Sequence, residues 1–164
     1  MIEVYGDLWT YPADVRVITT NGFVKKNGEA VMGRGCALEA ANQDSNFPLL
    51  LGHHIKINGN VVGMIGVIDG LPILSFPVKH NWYEKADLEL ILKSAKALKV
   101  WADYAEEDGP IKIVLPRPGC GNGGLKWEVV KPILEPILDD RFHVITFSNQ
   151  QAMNGPYIEK GKVW

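Results

Sequence analysis

Ile111-Lys-Ile-Val-Leu-Pro-Arg-Pro-Gly-Cys-Gly-Asn-Gly-Gly-Leu-Lys-Trp127 is the stretch on which the reading of this chain turns. Ile111–Leu115 has the apolar, β-branched character of a buried strand. It empties into a loop with glycines at 119, 121, 123 and 124, and Trp127 opens an apolar helical pattern. Strand, glycine loop and helix start together make one α/β element. Glycines leave the main-chain N–H groups unshielded, so such a loop can close on an anion. The stretch predicts an α/β fold that holds a phosphorylated ligand.

Working outward, Met1–Tyr5 reads as a short strand and Val15–Thr20 as a buried one. Asn21–Gly35 is a glycine-punctuated loop before a short helix, Cys36–Gln43. Val61–Ile68 and Leu71–Phe76 flank Asp69-Gly70, a type I′ hairpin signal. Leu88, Ile91, Leu92, Ala95, Leu98, Ala102 and Ala105 recur at helical spacing, a stripe that belongs to the core. Glu106-Glu107-Asp108 then reads as a solvated turn. Trp127–Leu138 is helical in pattern, but Pro132 and Pro136 each remove a donor, which predicts a break or kink near Lys131. Val144–Phe147 is a last strand, followed by a polar tail. Alternating strands and helices predict an α/β sandwich with a mixed sheet. Ligands of such sheets sit at the carboxyl ends of strands. The loops 21–35, 77–85 and 116–124 all follow strands and converge if those strands are neighbours.

At 164 residues the chain is one domain by length. A formal net charge of -2 argues against broad phosphate neutralisation of DNA or RNA, but leaves room for a single modified nucleotide. No apolar window is long enough for a membrane span, and Met1–Asp7 lacks the features of a signal peptide. Cys36 and Cys120 form no disulfide framework, and the histidines at 53, 54, 80 and 143 complete no metal site. The expectation is a cytoplasmic protein without metal.

Five features carry candidate chemistry. Asp7 follows the first strand; its carboxylate fits an exocyclic amine such as adenine N6, or the turn and cap roles that Asp more often fills. Asn21 both donates and accepts, which suits sugar hydroxyls, yet Asn-Gly is also ordinary turn chemistry. In Met32-Gly-Arg-Gly-Cys-Ala37, Gly33 and Gly35 flank a helix start, where N–H groups and helix dipole face outward together. Close packing is the other use for Gly35. The spacing is not that of the dinucleotide fingerprint. Lys79, in Phe76-Pro-Val-Lys-His-Asn-Trp82, follows a buried strand between aromatics, where desolvation would lower its pKa and raise its nucleophilicity. The alternative is an exposed loop lysine. His80 fits an acid–base group or a solvated loop histidine.

Together these motifs resemble the macro domain, an ADP-ribose-binding α/β module, over residues 1–148. Gly6-Asp7-Leu8, Asn21, Met32–Ala37 and Pro116–Trp127 stand in the family's order at suitable spacing. Phe76–Trp82 narrows the resemblance to the branch holding the DarG-type antitoxin macro domains, which remove ADP-ribose from thymidine bases of DNA. The terminal ADP-ribose protein glycohydrolases lie nearby. The resemblance implies a three-layer α/β/α fold with a central mixed sheet, a single domain over 1–148 and a tail over 149–164. It implies an ADP-ribosyl hydrolase, with ADP-ribose 1″-phosphate hydrolysis and non-catalytic reading as the family's alternatives. Asp7, with Leu8, would hold the adenine amine, and Asn21 would face the distal ribose. Gly33, Arg34, Gly35 and Cys36 would line the distal ribose and diphosphate. Pro118, Gly119, Cys120, Gly121, Asn122, Gly123, Gly124 and Leu125 would wrap the second phosphate face. Lys79 would be the catalytic residue, attacking or polarising the anomeric carbon. The related protein glycohydrolases carry an aspartate in this second loop where this chain has Asn122-Gly123. The implied partner is ADP-ribose on a nucleic acid base, a protein or a small molecule, met by a monomer without cofactor or membrane.

Overall fold

The computed structural model describes residues 1–147. The expected tail, 149–164, lies outside the described residues. The strands are β1 (Ile2–Tyr5), β2 (Val15–Asn21), β3 (Gly63–Ile68), β4 (Leu71–Lys79), β5 (Ile113–Pro116) and β6 (Phe142–Thr146). The helices are α1 (Gly35–Gln43), α2 (Phe47–Asn58), α3 (Leu88–Ala105) and α4 (Trp127–Leu134). All six strands join one mixed sheet in the order β1-β6-β5-β2-β4-β3, in which only β3 runs antiparallel.

Side-chain alternation along the strands sorts two cores. Val17, Leu74, Ile113, Leu115, Phe142 and Val144 pack with Ile91, Leu98 and Val130 from α3 and α4. Ile18, Ile73, Val114 and Ile145 pack with Ala40, Phe47 and Leu51 from α1 and α2. Interior parallel strands are covered on both faces, which is why they read as continuous apolar runs. The result is the three-layer α/β/α sandwich. Among the described residues no helix is long and apolar enough to cross a membrane.

The expected hairpin is present: Asp69 (φ 52°) and Gly70 (φ 79°) both occupy the left-handed region that a type I′ turn demands. Several boundaries differ from expectation. β4 continues through Pro77 to Lys79, so Lys79 stands on the strand rather than in the following loop. The helix from Trp127 runs through Pro132 and ends at Leu134, short of the expected Leu138. The donor that Pro132 lacks would have met the carbonyl of Glu128, an exposed residue, so water can replace it. Helix α2 was not expected at all. Its Pro48 sits in the first turn, where no N–H is needed, and Gly52 lies mid-helix. A Cβ at Gly52 would collide with the Gly28 carbonyl, so this glycine lets α2 pack against the loop after β2.

Candidate functional site

β5, β2 and β4 are neighbours, so the segments leaving Pro116, Asn21 and Lys79 meet at one end of the sheet. They enclose a cavity of about 600 Å³. The convergence expected of the three loops is therefore present.

Pairing between β2 and β4 slips at its end: Thr20 faces Pro77, but Asn21 faces Lys79, leaving Val78 as an extra residue. Such a bulge re-aims the side chains after it. The Lys79 carbonyl is pinned by Gly22 N–H (3.2 Å) and Asn60 Nδ2 (3.0 Å), while its side chain borders the cavity. Lys79 Nζ donates to the Trp82 carbonyl at 3.3 Å. Desolvation lowers the pKa of this amine, and the positive charge of Arg34 lowers it further.

Arg34 is the N-cap of α1. Its backbone is extended, its side chain makes no cap bond, and no acidic residue lies in the first turn. The N–H groups of that turn have no acceptor within the helix. Gly33, Gly35, Cys36 and Ala37 all border the cavity with Arg34. Gly35 has φ +57°, which a side chain would strain. Cys36 is buried with its thiol pKa pushed up by burial, so its contribution here is its main chain.

The second glycine loop is tied into a ring by Cys120 N–H to the Arg117 carbonyl (3.3 Å) and Leu125 N–H to the Gly119 carbonyl (2.9 Å). A Cβ at Gly123 would collide with the Gly119 carbonyl, so the ring closes only around a bare backbone. Among the described residues no hydrogen bond uses the N–H of Gly121, Asn122 or Gly123. A Cβ built at Gly35 would stand 3.5 Å from Asn122 Nδ2, so the two glycine loops approach each other across the cleft. Two sets of unspent N–H groups beside the Arg34 guanidinium form a donor set of the kind that suits an anion such as a diphosphate.

Gly119, Gly121, Asn122 and Gly123 border this cavity with Asn21, but six other expected residues do not. Asp7 forms a turn, its Oδ1 accepting Trp9 N–H (2.9 Å) and its carbonyl accepting Tyr11 N–H (2.9 Å). The Leu8 side chain is fully buried in the core, and its carbonyl accepts Arg16 Nε. Leu125 packs in the opposite core, Pro118 is buried, and Cys120 Sγ turns back to the Pro118 carbonyl. Gly124 faces the Lys85 side chain. Asn21 also does turn chemistry: Nδ2 donates to the Val31 carbonyl and Oδ1 accepts Phe23 N–H, both at 3.0 Å. His80 leaves the cleft and bonds Asp87 Oδ2 (2.7 Å) at the start of α3.

Thr20, Phe23, Trp82 and Arg117 are among the cavity residues not expected in the site from the sequence. Arg117 stacks on Trp127 with its carbon centre 4.9 Å from the ring, and its buried Nε has no partner. The buried Thr20 Oγ1 is likewise unpartnered among the described residues. A cation inside a glycine loop was the available signal for Arg117; Phe23 carried none.

The macrodomain of Mycobacterium tuberculosis DarG superposes with a TM-score of 0.70 at 27% identity, over 88% of this chain and 96% of that one. The macrodomain of Thermus aquaticus DarG gives 0.69 at 25%, over 90% and 97%. This chain has the macrodomain fold. The macrodomain is also 31% identical over 145 residues to a Thermus aquaticus DNA ADP-ribosyl glycohydrolase, covering 83% of this chain and 37% of that protein. The chain thus spans little more than a third of that relative's length. No protein-family model matches the macrodomain described here.

Proposed function

We propose that the cleft binds ADP-ribose and that the domain hydrolyses the bond joining its distal ribose to a modified DNA base or a protein side chain. The observation that carries this reading is Lys79, aimed by the bulge to a position between two loops with unspent N–H groups. The loops with Arg34 meet the diphosphate. The second Nδ2 hydrogen of Asn21 reaches a hydroxyl of the distal ribose, and Asp7 takes the adenine amine at the same end of the sheet. The T. aquaticus relative supports the choice of reaction.

Burial and Arg34 both favour the neutral amine of Lys79, which suits a nucleophile. Its lone pair attacks the anomeric carbon as the glycosidic C–N bond breaks. The bonding pair leaves with the base nitrogen, which takes up the proton that the lysine nitrogen releases. Water then hydrolyses the lysine adduct, returning the amine and freeing ADP-ribose. The test is an oligonucleotide carrying ADP-ribosylated thymidine, incubated with the wild type and with Lys79→Ala. Release should fall by about two to four orders of magnitude, and borohydride should trap an adduct on the wild type alone. Equal release by both proteins removes Lys79 from the mechanism. Calorimetric binding of ADP-ribose without turnover of modified DNA or protein makes the domain a reader.

A further inference from the structure

Beside Lys79 the cleft opens onto two large aromatic rings. Trp82 borders the cavity and is 50% exposed, and Tyr83 is 64% exposed, set edge-on to it at 5.4 Å. Their loop is braced at both ends. Asn81 Nδ2 donates to Glu84 Oε1 (2.8 Å), Ala86 N–H reaches the Gly123 carbonyl (2.9 Å) and Asp87 N–H reaches the Val78 carbonyl (2.8 Å). The rings are therefore held at the surface instead of folding into the core. The carbonyl of Trp82 accepts from Lys79 Nζ, which sets this ring next to the amine. On the far side, the Lys85 side chain runs within 3.6 Å of a Cβ built at Gly124. Lys85 makes no ion pair among the described residues, so its ammonium is available to a ligand's phosphate.

We propose that Trp82 and Tyr83 are a stacking platform for the unpaired nucleobase departing from the anomeric centre, with Lys85 meeting the adjoining backbone phosphate. The occupant is single-stranded nucleic acid, and the inference rests on the hydrolase reading above. A flat, exposed π surface beside a free ammonium is the usual combination for an unstacked base and its phosphate. A base inside a duplex cannot reach a ring at the rim of a cleft. The net charge of -2 argues against a broad phosphate-neutralising surface, which fits a local contact of this kind. Because β2 and β4 are interior strands, they offer no free edge for a peptide to join by strand addition.

The experiment measures fluorescence anisotropy of a labelled, unmodified oligothymidylate with the full chain, and calorimetry of free ADP-ribose in parallel. Trp82→Ala should weaken oligonucleotide binding by about tenfold, and Trp82→Phe by much less. Tyr83→Ala, whose ring lies outside the cavity lining, should also weaken oligonucleotide binding while its ADP-ribose affinity stays within about twofold. Lys85→Glu should lower the slope of log affinity against log salt by about one. Equal binding by the wild type and Trp82→Ala overturns the platform, as does a preference for duplex DNA or for peptide. Failure of the hydrolase reading shows separately, as no release of ADP-ribose from modified DNA by the wild type.

Discussion

Helices α1 and α3 begin at the same end of the molecule and treat their first turns in opposite ways. α3 closes its own terminus: Asp87 caps it, accepting Glu89 N–H at 3.0 Å, Glu89 adds an acid to the first turn, and His80 bonds the other carboxylate oxygen. α1 has an arginine at the cap, no side-chain cap bond and no acid in its first turn. Both helices have the same unsatisfied N–H groups by geometry. In α3 they are spent on the fold, and in α1 they are left to the cavity. A helix start becomes an anion site through what is missing from its cap, and the second glycine loop repeats the device without a helix.

The contrast can be broken most severely by giving the open side a fixed carboxylate. Gly121→Glu should abolish ADP-ribose binding, a loss of at least about a hundredfold by calorimetry, because like charges juxtaposed in an interface cost several kcal/mol. Unchanged affinity would place the anion elsewhere. Next in size is Arg34→Asp, which turns the α1 cap into that of α3. Affinity should fall about tenfold to a hundredfold with the lost charged hydrogen bonds. Thermal or urea unfolding should show stability rising by up to about 1 kcal/mol, as an Asp cap provides.

The converse substitution sharpens the comparison. Asp87→Ala should cost about 1 kcal/mol of stability and leave ADP-ribose affinity unchanged. The smallest effect is one of pH. The hydrogen bond from His80 holds the Asp87 carboxyl below its ordinary value, with the Glu89 N–H adding to it. A depressed folded value means that the stabilisation is complete above the unfolded pKa and is lost as pH falls through the folded one. Asn caps about as well as Asp, so Asp87→Asn should be less stable than the wild type only by a few tenths of a kcal/mol, the size of an exposed pair. That gap should close in urea titrations below about pH 4, the ordinary carboxylate range.

Much of the framework was legible because it depends on local chemistry. Asp69-Gly70 specifies a hairpin by conformational freedom alone, and the stripe from Leu88 to Ala105 specifies α3 by period. Helix α2 was not legible: Phe47–Asn58 is apolar around most of its circumference, with a glycine whose purpose is to admit the Gly28 carbonyl. That α4 continues through Pro132 was not legible either, because the cost of that proline depends on whether water reaches the bereft carbonyl. Within the cleft, Lys79 and both glycine loops stood out by residue type and spacing. Phe23 and Thr20 did not, since nothing local distinguishes a cavity wall from a core residue.

The sequence by itself determined which groups could be brought to an anion and a sugar: bare glycine backbone, an uncapped helix start and one lysine after an apolar strand. These are properties of a few consecutive residues, set by sterics and covalent chemistry. Only the tertiary structure decided that β5, β2 and β4 lie side by side, that a one-residue slip aims Lys79 inward, and that Arg34 stands close enough to weaken its hold on a proton. Those depend on contacts between segments distant along the chain, and such distances are set by packing the two cores against the sheet.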